Sequence, residues 1–163
     1  MAAGDIIFWS DVADAIRPPI TRLTQQVSQS MANAANSAIT FGAGSEEIDT
    51  HGFHDTAVNT SRITPNKPGR YRAVGTVNVA SSGAVTILTA FIGKNAVAVQ
   101  PFARTKPGTA VTTTSVTVSA IVEMNGTTDF VELYGNQTSG AALGTQASGG
   151  VNSVLELEYL GVQ

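Results

Sequence analysis

The chain has 163 residues, no cysteine, a formal net charge of −3 and only 13% charged residues. This length suffices for one domain with a buried core, and so low a charge argues against disorder. The missing cysteines exclude disulfides, thiolate metal sites and cysteine nucleophiles, and the nine scattered lysines and arginines offer no patch for nucleic acid.

The sparse charge leaves two interpretations open for the surface. Either other subunits cover much of it, or a coat of serine, threonine and asparagine keeps a β protein soluble. The N-terminus lacks a basic run and Asp5 interrupts its apolar residues, so we expect no signal peptide. No stretch approaches the roughly 18 apolar residues of a membrane span, so we also expect no membrane insertion.

Residues 1–38 carry helix signals. Ser10 is a suitable N-cap for a first helix, and Pro18 and Pro19 interrupt that helix and can open a second one. Apolar side chains then recur at spacings of three and four, which predicts one stripe along the second helix. The stripe consists of Ile20, Leu23, Val27, Met31, Ala34 and Ala38.

We interpret residues 1–38 as an arm for anchoring or oligomerisation, separate from a domain over residues 39–163. The alternative is a helix docked on its own domain, with Phe8 and Trp9 packed locally against it. Large apolar side chains are the usual anchors of interfaces. The arm offers Ile7, Phe8, Trp9, Ile16 and Leu23 for docking on a partner.

From Ile39 onward the pattern is typical of β-strands. Apolar and polar residues alternate in several short runs separated by turn residues, and Phe91 faces one side of its strand while Leu88 and Ile92 face the other. Such spacing predicts an all-β antiparallel sandwich or barrel. Residues 138–150, TSGAALGTQASGG, are too rich in glycine and serine for regular structure, so we expect an exposed loop there.

The run EEIDTHGFHD, residues 46–55, contains both histidines of the chain. On a helix, His51 and His54 would share one face and could bind zinc, but in extended chain residues three apart point to opposite sides. We therefore expect His54 and Asp55 to hold a loop by local hydrogen bonds. An ion shared between subunits and a metal-dependent hydrolase using His51 and His54 remain the alternatives. We expect no catalytic residue, no metal and no cofactor.

Several motifs in the second part of the chain resemble a known superfamily. They include DTHGFHD (residues 49–55), NTSR (59–62), PNKPGRY (65–71), DFVELYGNQTSG (129–140) and SVLELEYLG (153–161). These runs are similar to the jelly-roll domains of tumour necrosis factor and complement globular heads, above all to versions in virion proteins of tailed phages. Thr128 and His51 depart from that pattern, because the family usually has glycine and an acidic residue there.

The resemblance implies a ten-strand-type jelly roll that forms a homotrimer around an axis lined by apolar and aromatic side chains. It also implies a non-enzymatic protein of the virion, assembled in the host cytoplasm and docked through its arm on major capsid or tail proteins. The alternative on the same fold is an adhesion module that binds a host-surface glycan or receptor through loop 138–150. For the trimer interface we predict Phe53, Tyr71, Phe91, Tyr134 and Tyr159.

Overall fold

The structure, a computed structural model, describes residues 17–80, 85–106 and 113–162, and all regular structure in these ranges is β. Among these residues no helix is long and apolar enough to cross a membrane. The strands are β1 (Ile20–Thr24), β2 (Ser30–Met31), β3 (Ser37–Ala38), β4 (Glu46–Asp49), β5 (Arg62–Ile63), β6 (Pro68–Ala80), β7 (Leu88–Lys94), β8 (Val97–Thr105), β9 (Thr113–Asn125), β10 (Val131–Gln137), β11 (Leu143–Gly144) and β12 (Val154–Gly161).

Two five-stranded sheets pack face to face. Sheet I has the order β4-β1-β12-β6-β9, and sheet II has the order β3-β10-β7-β8, with β5 also paired to β10. A third, two-stranded sheet joins β11 to β2. The pairs between these strands are antiparallel, so the predicted all-β antiparallel sandwich is confirmed.

The core lies between the two sheets. It is formed by apolar side chains at every second position of the strands. On β9, Val116, Val118, Ala120 and Val122 are buried while the residues between them are exposed. Gly75 on β6 permits close approach of the sheets, because a Cβ there would lie 2.4 Å from a methyl carbon of Leu133. The alternation therefore decides which side of each strand becomes core.

The predicted second helix is wrong. Ile20–Thr24 is a strand of sheet I between β4 and β12, with Leu23 fully buried, whereas Val27 of the same predicted stripe is 74% exposed. The side chain of Gln29 holds the following segment, donating to the carbonyl of Ala38 at 2.8 Å and accepting from the amide of Thr40 at 2.7 Å. Pairing with distant strands therefore overrides the local helical spacing.

The predicted boundary at residue 38 is also wrong. Strands β2 and β3 pair with β11 and β10, so residues 20–38 are part of the jelly roll and not of a separate arm. Leu23 is a core residue and not a docking residue. The first predicted helix and the docking residues Ile7, Phe8, Trp9 and Ile16 lie outside the described residues.

The predicted loop 138–150 is irregular only in part. Leu143–Gly144 forms β11, and Thr145 is buried, where its Oγ1 accepts the amide of Gln29 at 2.9 Å. Residues 140–142 and 148–150, on either side of this anchored centre, are exposed. The sequence could not reveal the anchor, because it depends on a strand more than 100 residues earlier.

Replacement of Leu23 by alanine tests whether β1 is an integral strand. Removing a fully buried leucine side chain leaves a cavity, so we expect the free energy of unfolding to fall by about 2 to 5 kcal/mol. Val27→Ala, at an exposed site, should change it by no more than about 0.5 kcal/mol. Urea unfolding of both variants measures the difference, and equal losses would contradict the placement of β1 in the core.

Candidate functional site

His54 joins three segments of the chain from a nearly buried position. Its Nδ1 lies 2.7 Å from the carbonyl oxygen of Arg62, and its Nε2 lies 2.8 Å from the carbonyl oxygen of Phe41. Carbonyl oxygens only accept hydrogen bonds, so a ring nitrogen contributes to such a contact as a donor. Both nitrogens are therefore committed to the backbone and neither faces a substrate or a metal.

The two aspartates of the same run also serve the backbone. Asp49 accepts the amides of Phe53 and His54 at 3.0 and 2.9 Å. Asp55 accepts the amides of Ala57 and Val58 at 2.8 and 3.0 Å, and these hydrogen bonds lower the pKa of its carboxyl group. The prediction that His54 and Asp55 hold a loop by local hydrogen bonds is confirmed.

The backbone amide of His51 donates to Asp49 at 3.4 Å, but its imidazole has contacts of its own. Its ring is exposed, its Nδ1 is 2.8 Å from the hydroxyl of Thr50, and it packs against the ring of Phe53 at 5.6 Å. Within residues 17–80, 85–106 and 113–162, no group of three metal-ligating side chains converges. The geometry thus gives no support to a hydrolase built on His51 and His54, because the two imidazoles have separate partners.

A cavity of about 300 Å³ lies beside this loop. Arg62 supplies a cation, but its guanidinium stacks on the Phe130 ring at 3.9 Å and its Nε lies 3.4 Å from Glu132. The polar groups around the cavity are thus largely engaged in holding the loop. Its lining consists of Gly52, Phe53, His54, Asp55, Val58, Asn59, Arg62 and Thr64.

Three of the predicted interface residues form an aromatic chain inside one end of the sandwich. The rings of Phe53 and Tyr71 are 6.2 Å apart, and those of Tyr71 and Tyr159 are 5.1 Å apart. Tyr71 is fully buried and donates its hydroxyl proton to the carbonyl of Lys67 at 2.8 Å. In this arrangement Tyr71 has no exposed surface with which to contact another copy.

The other two, Phe91 and Tyr134, lie on the outer face of sheet II. Their rings are parallel, with centroids 4.9 Å apart, and Phe102 adds a third ring 5.0 Å from Phe91. The Tyr134 hydroxyl donates to Glu132 at 2.6 Å, and burial together with this carboxylate raises the pKa of Tyr134 to about 12. Phe102 was not among the predicted residues, because only the pairing of β7 with β8 brings it beside Phe91.

Strands β8 and β9 form an open edge of the sandwich. They are the last strands of sheets II and I, and they lie against each other. Large apolar side chains are exposed along this edge: Val97 by 69%, Ile121 by 64% and Phe102 by 38%. We call Val97, Phe102 and Ile121 the edge patch. A single apolar residue in a polar alternation, such as Ile121 between Ser119 and Glu123, was the available sequence signal.

The outer face of sheet I carries a concentration of the chain's few charges. Arg22 pairs with Glu47 at 2.7 Å and with Glu156, and Arg72 pairs with Glu158 at 3.3 Å. These side chains are between 33% and 52% exposed, so each pair contributes little to stability in the single chain. The face is polar, unlike the aromatic axis that the resemblance implies.

Substitution of the two histidines tests whether they stabilise the loop or bind a metal. His54→Ala removes the ring from the carbonyl oxygens of Arg62 and Phe41, so we expect the free energy of unfolding to fall by about 2 to 4 kcal/mol. His51→Ala, at an exposed ring, should cost less than about 1 kcal/mol. Thermal or urea unfolding measures both, and similar losses that a chelator reproduces would instead indicate a bridging metal.

No protein-family model matches this chain, and no curated protein does. Among solved structures, murine APRIL at pH 5.0 superimposes with a TM-score of 0.65 and 7% identity, over 87% of this chain and 98% of that chain. Eiger TNF from S. frugiperda gives a TM-score of 0.55 and 8% identity, over 89% of this chain and 95% of that one. At such identities the likeness concerns the fold alone. The chain has a TNF-like jelly-roll fold.

Proposed function

We propose that this chain is a non-enzymatic structural protein of a tailed-phage particle, displayed as a homotrimer and docked through the residues that precede β1. The motifs from Asp49 to Tyr71 support the virion context through their resemblance to phage jelly rolls. The TNF-like fold supports a trimer, because the resemblance implies that assembly. The engagement of His54, Asp49 and Asp55 by the backbone supports a role without catalysis.

The edge patch is the observation that carries the proposal. In the described part of the chain β8 and β9 each pair with one strand, so the other side of each has no strand partner there. Exposed strand edges invite pairing with other chains, and proteins normally cover or charge them. Besides the charged Arg104 and Glu123, this edge presents the exposed side chains of Val97, Phe102 and Ile121. Contact with a second copy would bury these side chains.

The docking segment is shorter than the sequence indicated. Strand β1 begins at Ile20, and the amide of Tyr159 donates to the carbonyl of Pro19 at 2.9 Å. Residues from Pro19 onward are therefore tied to the sandwich, and the proposed docking segment consists of the residues before them. Of the predicted docking residues, Ile7, Phe8, Trp9 and Ile16 stay in this proposal.

A host-binding module is the second candidate on the same fold. It would use the exposed parts of loop 138–150, residues 140–142 and 148–150. The two candidates differ in what the isolated protein does. Binding of the free protein to host cells or host glycans would favour adhesion, and incorporation into particles without such binding would favour the structural role.

Light scattering of the purified chain should give about three times the monomer mass of 16.8 kDa. Val97→Asp and Ile121→Asp place a charge in a contact that excludes water, so both variants should shift the chain toward monomer at micromolar concentration. Val58→Asp changes an equally exposed valine away from the edge patch, at 61% exposure, and should leave the mass unchanged. A wild-type monomer would refute the trimer.

Deletion of residues 1–16 should leave a folded, trimeric jelly roll that no longer joins particles. Every described residue is kept in this variant, so circular dichroism and light scattering should match the full chain. Deletion of residues 1–24 is the contrasting variant, because it removes β1 and should unfold the protein. Normal incorporation of the shorter deletion into particles would contradict docking through this segment.

A further inference from the structure

The turn between β9 and β10 contains the dipeptide Asn125–Gly126, and Asn125 is the one asparagine of the chain that glycine follows. In such a dipeptide the next backbone nitrogen can attack the side-chain amide carbon, since glycine has no side chain to hinder the approach. Asparagine is accordingly among the chemically labile residues of proteins. This turn is therefore the place in the chain where that chemistry is least hindered sterically.

The fold requires glycine at this position. Gly126 has a φ of +73°, which side chains with a Cβ rarely adopt. A Cβ there would also lie 2.4 Å from the backbone nitrogen of Pro68 and 2.7 Å from the carbonyl carbon of Lys67. Because the turn approaches the start of β6 so closely, no residue with a side chain fits at position 126, and glycine must follow Asn125.

The same turn also restrains the side chain of Asn125. Its Oδ1 accepts three backbone amides, those of Thr127 at 2.9 Å and of Thr128 and Asp129 at 3.0 Å each. Its Nδ2 donates to the hydroxyl of Thr128 at 2.9 Å. Through these contacts the carboxamide of Asn125 is held toward residues 127–129.

We propose that Asn125 is a site of spontaneous deamidation that the β9–β10 turn keeps slow, with the hydroxyl of Thr128 as a positioning group. This assignment gives a role to Thr128, where the chain departs from the family pattern that it resembles. A glycine at position 128 would supply the backbone amide but no hydroxyl to hold Nδ2. The proposal is independent of the function proposed above.

The chemistry needs only water. The nitrogen of Gly126 forms a bond to Cγ of Asn125, the bond from Cγ to Nδ2 breaks, and the amino group leaves as ammonia with the amide proton of Gly126. Water then opens the cyclic imide at either carbonyl and gives aspartate or isoaspartate. The isoaspartate product places an additional carbon in the backbone, at the point where Pro68 and Lys67 leave no room beside Gly126.

Asp129 links the turn that contains Asn125 to the turn between β7 and β8. Its Oδ2 accepts the amide of Asn125 at 3.0 Å and the ammonium of Lys94 at 2.9 Å, and its Oδ1 accepts from Asn95 at 2.7 Å. The Asn95 and Lys94 contacts lower the pKa of Asp129, which keeps it anionic. A new carboxylate at position 125 lies next to this anion and weakens the link between the two turns, beside Val97 of the edge patch.

Peptide mapping by mass spectrometry tests the proposal on the full chain, incubated in mildly alkaline buffer with and without urea. We expect slow conversion of Asn125 in the folded chain and fast conversion in the unfolded chain. Thr128→Val removes one hydrogen bond, so the conversion in the folded chain should rise several-fold, up to about tenfold. Thr128→Ser retains the hydroxyl and should keep the wild-type rate.

Thr127→Val is the matched control, because it makes the same change one residue earlier and leaves the contact of Nδ2 intact. Urea unfolding of the valine variants shows whether a rate change follows global stability. Equal rates in Thr127→Val and Thr128→Val would overturn the role of Thr128. Folded and unfolded chains that convert Asn125 at the same rate, whether fast or slow, would overturn the restraint by the turn.

Discussion

The pairing of β6 with β9 is the constraint on which most of the structure depends. Both strands have 13 residues and they pair along their whole length, from Pro68 with Asn125 to Ala80 with Thr113. This register places one row of side chains in the core and the other on the polar face of sheet I. It also makes β9 the end of that sheet, which exposes Ile121, and it brings Gly126 against Pro68.

The histidine-containing run illustrates how a cluster of ligand-type residues can serve the fold alone. In the sequence, His51, His54, Asp49 and Asp55 lie within seven positions and could suggest a metal site. In the structure each of the two carboxylates accepts backbone amides, and the His54 ring lies between two carbonyl oxygens. A loop without regular pairing needs partners for its backbone groups, and these side chains supply them.

Packing within the chain also accounts for the aromatic residues. Aromatic residues that suggested an interface in the sequence contact one another within the chain, as Tyr71 and Tyr159 do in the core and Phe91 and Tyr134 do on sheet II. The large apolar side chains left exposed include Val97, Phe102 and Ile121 on the edge strands β8 and β9, and others in loops, such as Val27 and Val58.

The sequence by itself determined the β class of the chain from Ile39 onward, because alternation with period 2 is a local property of each strand. It also indicated the local role of His54 and Asp55, since residues three apart in extended chain point to opposite sides. Only the tertiary structure decided that Ile20–Thr24 is a strand, that Leu143–Gly144 is anchored and that Asn125 is restrained. Each of these depends on contacts absent from its local residue pattern, with distant strands or through turn geometry, and such contacts outweigh weak local preferences.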